Sequence, residues 1–300
     1  MKKVFLITFR FLFVIRAFAQ QQPLYSQYML NSFLLNPAIA GTDEASPIRL
    51  TLRQQWMGIE NAPSTQAVSG HTLLKSLANC GVGGFVYRDK FGPVSQTGIH
   101  GALAYHLKLN SNTNLSFGLS ISGFQYVIDE SELNIINPND PSITGKTETI
   151  WVSDANSGLY LSNPHFYVGF SSTQLIQKNL RINENNLSSM VRHYYLTSGY
   201  YLKLNDYYTL VPSILLKTTE FTPVQLDLNA QLNYKNLMFF AISYRPKDAS
   251  IAMVGLKKER FQFGYAFDYT LSNISTYTHG SHELMIGYAL TKPIIQKPLF

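Results

Sequence analysis

The sequence predicts an all-β fold: a transmembrane antiparallel β-barrel of about fourteen strands, with a short N-terminal helix plugging or packing at the barrel mouth. Three observations carry that expectation. Residues 261–270 read FQFGYAFDYT, so Phe261, Phe263, Tyr265, Phe267 and Tyr269 share one face of a strand and Gln262, Gly264, Ala266, Asp268 and Thr270 the other. The same two-residue alternation recurs. Leu226, Leu228, Leu232 and Tyr234 oppose Gln225, Asp227, Asn229, Gln231 and Asn233, while Leu284, Ile286, Tyr288 and Leu290 oppose Glu283, Met285, Gly287 and Ala289. Finally, only 14% of the residues are charged, against about a quarter in soluble domains, while Tyr and Phe number 19 each. That load suits the aromatic girdles of a membrane barrel. Rings opposed by small or polar groups place lipid outside and a wet lumen inside; a large soluble β-sandwich or barrel is the competing reading.

Met1 to Ala19 has a basic start, an apolar segment and Ala17-Phe18-Ala19 as a small-x-small cleavage site. These predict a cleaved signal peptide over 1–19, with Gln20 as the new N-terminus. Arg10 and Arg16 interrupt the apolar run, which falls short of the roughly 18 residues a spanning helix needs. Residues 20–47 form an N-terminal segment. In it Tyr25, Tyr28 or Met29, and Phe33 have helical spacing, Ser26 is placed to cap the start, and Asn36-Pro37 stops the helix. As a plug it packs in the barrel mouth; the alternative is a segment that contacts a partner or gates the lumen.

The barrel is assigned to 48–290 and a tail to 291–300. Its predicted strands begin with Ile48 to Trp56, where Ile48, Leu50 and Leu52 face lipid and Arg49, Thr51 and Arg53 face inward. A glycine cluster, Gly81, Gly83 and Gly84, opens the third strand. No Lys-Ser/Thr follows, so it is read as bends in a curved sheet rather than a phosphate loop. Val94 to Leu109 and Asn114 to Phe124 form a hairpin about a polar turn. Tyr126 to Ile150, with Pro138, Pro141 and Gly145, reads as a long surface loop, and Gln174 to Ser189 as a polar excursion without strand pattern. Strands resume at Arg192 to Lys203 and continue to Ser281 to Leu290.

The formal charge of +6 misleads, because Lys2, Lys3, Arg10 and Arg16 lie in the leader with no acid; removing them leaves 24 − 4 = 20 basic against 18 acidic residues. No basic stripe remains to release counterions from phosphate, so nucleic acid is not an expected partner. Cys80 is the single cysteine, which excludes an internal disulfide and a thiolate metal cluster. His279 and His282 stand three apart without a carboxylate or cysteine at a recognisable offset, so no metal or other cofactor is expected. No serine sits in a nucleophile-elbow context, and no enzymatic activity is expected. Arg53, Arg88, His100, His106, Lys108, Asp227 and Asp268 are read as inward-facing, either as ion pairs that stiffen the barrel or as a translocation pathway.

Short motifs then follow one another through the chain: Tyr25-Ser26-Gln27-Tyr28-Met29, Asn36-Pro37-Ala38, Arg53-Gln54-Gln55-Trp56, Gln225-Leu226-Asp227-Leu228-Asn229, Tyr244-Arg245 and Gly280-Ser281-His282-Glu283. With these, from about Tyr25 to Tyr288, the chain resembles the PorP/SprF family of outer-membrane proteins of type IX secretion systems. The resemblance implies a fourteen-stranded, non-enzymatic barrel in the outer membrane of a Gram-negative bacterium. It implies a role in exporting or holding large cell-surface proteins, such as gliding adhesins, through their C-terminal sorting domains. It also implies contact with the secretion machinery and with periplasmic, peptidoglycan-associated subunits. The motif positions Tyr25, Gln27, Tyr28, Asn36, Pro37, Arg53, Gln55, Trp56, Asp227, Asn229, Tyr244, Arg245, Gly280, Ser281, His282 and Glu283 are its expected structural or partner-binding residues. The competing functional reading is a pore for small hydrophobic or polar solutes.

Overall fold

Alternating residues of the chain build one closed wall. The computed structural model describes residues 22–291 apart from 44, 75, 78, 133–146, 178, 184–185 and 221. The predicted signal peptide, Gln20 and most of the C-terminal tail lie outside the described residues. Fourteen antiparallel strands form the wall: β1 Pro47–Gln54, β2 Ser64–Leu74, β3 Cys80–Phe91, β4 Val94–Lys108, β5 Asn114–Asp129, β6 Thr147–Ser162, β7 Phe166–Thr173, β8 His193–Tyr200, β9 Tyr208–Thr219, β10 Gln225–Tyr234, β11 Met238–Arg245, β12 Ala249–Lys258, β13 Phe261–Thr270 and β14 Ser281–Ala289. Leu202–Lys203 prolongs β8 along β9. Each strand pairs with the next, and β1 pairs with β14 to close the cylinder.

The alternation holds round the wall. Ile121, Leu119, Ile242, Ile99 and Phe240 stand exposed on the outside, while Ser120, Ser122, Ala241 and His100 between them are buried. Along β13 the rings face out, and Gly264, Ala266, Asp268 and Thr270 face in. Arg53, Asp227 and Asp268 are buried inward as expected. Arg88 departs from expectation: it is exposed on the outer face of β3, and Asp89 takes the inward place, because Tyr87 and Asp89 set the phase of that strand. Lys108 ends β4 at the rim and is exposed.

The loops divide by end. At one end the connections are all short, 75–79, 109–113, 163–165, 204–207, 235–237 and 259–260; at the other lie the longer 55–63, 130–146, 174–192 and 271–280 together with the short 92–93, 220–224 and 246–248. The expected surface loop at Tyr126 to Ile150 is shorter than its composition suggests. β5 runs on to Asp129 and β6 starts at Thr147, their alternation masked by polar outward residues such as Gln125, Thr149 and Ser153. Gln174 to Ser189, expected to lack strands, contains a short hairpin, Asn179–Asn183 with Asn186–Ser189, in a sheet of its own.

The expected N-terminal helix is not seen. Residues 22–46 are turns with two 3-10 pieces, Ser32–Leu34 and Pro37–Ile39. The reason is that this segment bonds to the wall rather than to itself. It fills the lumen: Tyr25, Tyr28, Phe33, Leu35, Ile39 and Ala40 are buried against inward residues of the wall. Glycines make room for it. A Cβ at Gly118 would lie 2.2 Å from the Ala38 nitrogen, at Gly158 2.0 Å from the Asn36 amide oxygen, and at Gly81 2.0 Å from the Ala40 carbonyl oxygen. Gly81 and Gly83, expected to be bends, are therefore clearances for Ala40 and Phe33. Beside Tyr25, Phe33, Phe85, Tyr87 and His100 lies a cleft of about 30 Å³, room for a water or two.

This packing makes a test. Gly118→Val and Gly158→Val force a side chain into the segment's backbone and destabilise the protein by about 1–3 kcal/mol, read from denaturant unfolding in detergent micelles. Gly101→Val, at an outward position with nothing within 4 Å, leaves the midpoint in place.

Candidate functional site

The segment is held by a buried cluster of charge at the long-loop end of the lumen. Arg53, near the end of β1, donates from Nη2 to Asp268 Oδ2 at 2.8 Å and from Nη1 to Glu283 Oε2 at 3.2 Å, all three side chains being almost fully buried. Register explains the meeting: Arg53 lies directly across from Glu283 on β14, and Glu283 from Ala266 on β13. Two residues on, Asp268 reaches the same point. Into this triangle comes Ser26. Its hydroxyl accepts from Arg53 Nη1 at 2.7 Å and donates to Asp268 Oδ2 at 2.7 Å. The backbone amides of Ser26 and Gln27 donate to the two Glu283 oxygens at 2.7 and 2.9 Å, and the Gln27 side-chain amide donates to the Glu283 carbonyl at 3.1 Å. One glutamate thus satisfies two amides of a non-helical segment that has no ladder of its own.

Further along, several polar groups of the segment bond to the wall. Asn31 and Ser69 exchange bonds at 3.0 and 3.2 Å. Asn36 accepts from the Ala38 amide at 2.9 Å, capping the second 3-10 turn, and donates to the Leu159 and Phe170 carbonyls at 2.9 and 3.3 Å. The Ser171 hydroxyl donates to the Leu35 carbonyl at 2.6 Å, and the Gly41 amide to His71 Nδ1 at 3.1 Å. Asp43 pairs with Arg49 at 3.1 Å just before β1 begins. Burial pushes the Tyr25 and Tyr28 phenols above the ordinary tyrosine range, so both are neutral fillers.

A second buried cluster lies beside the first. Arg245 donates to Asp227 at 2.8 and 3.2 Å and to Asp248 at 3.0 Å, while Asn229 bridges Ser213 and Ser243. Sequence reasoning placed Arg53, Asp227 and Asp268 inward and named Arg245 only as a motif position, without showing who meets whom. It missed Ser26 as the segment's contribution, although Ser26 stands inside a motif it singled out. His100 and His106 point inward: His100 stacks on Phe85 with ring centroids 4.0 Å apart, and His106 Nδ1 contacts the Ser116 hydroxyl at 2.7 Å.

The remaining motif positions shape the rim and the outside. Gly280 has φ +94°, and a Cβ there would meet the Asp268 carbonyl oxygen at 2.7 Å. Loops 55–63 and 271–280 are tied by Met57 N–H to the Gly280 carbonyl and His279 N–H to the Met57 carbonyl, both 2.7 Å. The Trp56 amide donates to the Ser281 hydroxyl at 3.0 Å, and Gln55 N–H to the Pro63 carbonyl at 2.8 Å. Tyr244 is exposed on the outer wall, and His282 sits there against Tyr265, whose hydroxyl lies 2.6 Å from its Nδ1. Among the described residues no group of three His, Cys, Asp or Glu side chains is placed to hold a metal ion.

Removing the cation is the informative change. Arg53→Leu leaves two buried carboxylates unpaired and costs about 3–5 kcal/mol, measured by denaturant unfolding. The triple variant Arg53→Leu, Asp268→Asn, Glu283→Gln recovers a large part of that loss, because no buried charge is then left alone.

Among solved structures the chain is similar to the Pseudomonas putida toluene transporter TodX (9% identity, TM-score 0.47, 86% of this chain and 91% of that one). It is also similar to the CymD monoaromatic hydrocarbon channel (12%, TM-score 0.47, 90% and 94%) and the KdgM porin (11%, TM-score 0.40, 81% and 98%). Likeness at this level adds no argument about function. A comparison with curated proteins finds no match. The family model described as type IX secretion system membrane protein PorP/SprF matches residues 17–288, nearly the whole chain, and the protein belongs to that family.

Proposed function

We propose that the protein is a non-enzymatic outer-membrane barrel of a type IX secretion system that assists the secretion or surface attachment of large cell-surface proteins through their C-terminal sorting domains. The observation that carries this over the pore reading is the filled lumen. A solute path needs a continuous opening, and residues 22–46 occupy that space with both apolar packing and hydrogen bonds to the wall. Work on a partner is then left to the rims and the outer surface.

Barrels of this kind keep short turns in the periplasm and long loops outside the cell. On that rule the loops 55–63, 130–146, 174–192 and 271–280 face the exterior, where a surface protein is held. The short-turn end faces the periplasmic, peptidoglycan-associated subunits. The motif residues divide accordingly: Tyr25, Gln27, Tyr28, Asn36, Pro37, Arg53, Asp227, Asn229, Arg245 and Glu283 set the plugged interior. Gln55, Trp56, Gly280 and Ser281 shape the outer rim, and Tyr244 and His282 face the bilayer.

Two measurements test the reading. In planar bilayers the intact protein shows no steady ion conductance, whereas a variant lacking residues 22–40 conducts; steady conductance by the intact protein favours the pore. In a bacterium with an active type IX system, loss of the protein leaves large cell-surface proteins unsecreted or released into the medium. Unchanged surface display overturns the secretion role.

A further inference from the structure

Along one side of the barrel the short turns are joined into a continuous rim. The Lys235 amide donates to the Tyr207 carbonyl at 2.7 Å, tying turn 235–237 to turn 204–207. The Lys257 amide donates to the Leu237 carbonyl at 2.6 Å, and the Ala289 amide to the Arg260 carbonyl at 2.8 Å, tying turn 259–260 to the end of β14. From β9 to β14 each hairpin end is therefore bonded through its backbone to a neighbour, and the side chains on it stand on fixed main chain.

This rim carries its cations against rings. The Lys235 ammonium folds back to lie 4.6 Å from the centre of the Tyr207 ring and 5.4 Å from that of Tyr234. Lys258 is exposed on the outer phase of β12, directly across from Phe261. Arg260 Nη1 donates to the Tyr288 hydroxyl at 3.5 Å and to the Leu290 carbonyl at 3.3 Å, and Tyr288 packs edge to face on Phe261 with centroids 5.1 Å apart. These outward rings belong to the girdle at which acyl chains give way to headgroups. Of the other charges near them, Lys203 pairs with Asp206 at 3.0 Å, Lys257 stands on the inward phase of β12 at the mouth, and Glu259 occupies a turn tip. On the other side of the barrel, turns 109–113 and 163–165 carry no Lys, Arg, Asp or Glu.

We propose that the outer face of this rim, from Lys235 to Arg260, binds phospholipids whose headgroup carries a net negative charge. The position of the cations names the occupant. They stand on the bilayer side, over rings that meet acyl chains, at the level where a lipid phosphate rests and accepts from ammonium and guanidinium groups. A headgroup with its own ammonium gains little there, because that charge already answers its phosphate. An acidic protein arriving from the water meets the turn tips instead, and these hold Asn205, Asp206, Asn236 and Glu259, which are neutral or acidic. The backbone bonds between hairpins hold the site in shape before a lipid arrives, which lowers the cost of binding. On the reading above, in which short turns face the periplasm, the lipid comes from the periplasmic leaflet; the site itself does not depend on that reading.

Native mass spectrometry of the purified barrel in detergent tests this, with phosphatidylglycerol and phosphatidylethanolamine of the same acyl chains as probes. The intact barrel binds phosphatidylglycerol at least about tenfold more tightly, since each cation at a membrane surface adds a severalfold gain. Lys258→Gln alone, at an exposed position, lowers that preference severalfold, and the triple variant Lys235→Gln, Lys258→Gln, Arg260→Gln abolishes it. Lys235→Arg keeps it, and so does Arg88→Gln, which removes an outward cation from the opposite rim. Heat-modifiable migration checks that each barrel is assembled. Equal affinity for the two lipids, or a preference that survives both Lys258→Gln and the triple variant, overturns the proposal. So does displacement of the lipid by an equal concentration of inorganic phosphate, which marks a free-anion site. A triple variant that binds phosphatidylglycerol as the intact barrel does, yet no longer retains a periplasmic protein, assigns the rim to a protein and rejects the lipid. Binding is read here without secretion, so its failure leaves the secretion role standing, and failure of that role leaves the lipid preference in place.

Discussion

A closed sheet of fourteen strands encloses more space than its own inward side chains fill, since about eight strands already reach that limit. Everything else in this protein follows from how the surplus space is occupied. The filler is a stretch of the same chain with neither helix nor strand, and its backbone amides and carbonyls lie where bulk water does not reach. Such a segment is stable only if the wall supplies partners. Glu283, His71 and Ser171 do so in turn, Asn36 caps the Ala38 amide from within the segment, and glycines remove the Cβ atoms that would hold the backbone off the wall.

Arg53 has a special place in that arrangement. Burying one guanidinium with two carboxylates is costly, and a purely apolar filling of equal volume is often as stable. What apolar packing does not supply is a single register. Two carboxylate oxygens that accept the successive Ser26 and Gln27 amides do not tolerate a slip of one residue, and the glycine clearances for Asn36, Ala38 and Ala40 hold the same register. The Ser26 hydroxyl, placed between Arg53 and Asp268, fixes the same position from the side-chain side. The cluster therefore reads as a positioning device for the plug more than as a source of stability.

The wall was legible in the sequence because lipid and lumen impose opposite demands on successive residues, as Phe261 to Thr270 shows most plainly. The alternation also placed Arg53, Asp227 and Asp268 inward. It failed where the two demands weaken. Arg88 lies near the rim, where a charged side chain reaches water from the outer face, and the upper halves of β5 and β6 carry Gln125, Thr149 and Ser153 outward, so their pattern looked like a loop. The N-terminal segment misled for another reason. Tyr25, Met29 and Phe33 have helical spacing, but their burial comes from a surrounding wall on all sides, and a one-faced helical stripe is not what such a site selects. The glycines were visible as glycines; that they face Ala38, Asn36 and Ala40 depends on contacts far apart in sequence, which periodicity does not encode.

A fixed interior and an uneven wall also constrain how the molecule acts. With the lumen filled, binding free energy from a partner must be gained at surfaces that are incomplete in the isolated chain. The outer wall is completed by lipid, and the loops 55–63 and 271–280 complete each other through Met57, Gly280 and His279. The tall side of the barrel differs. There β6 rises past the end of β7, and the strand Asn179–Asn183 of the hairpin that follows lies against it.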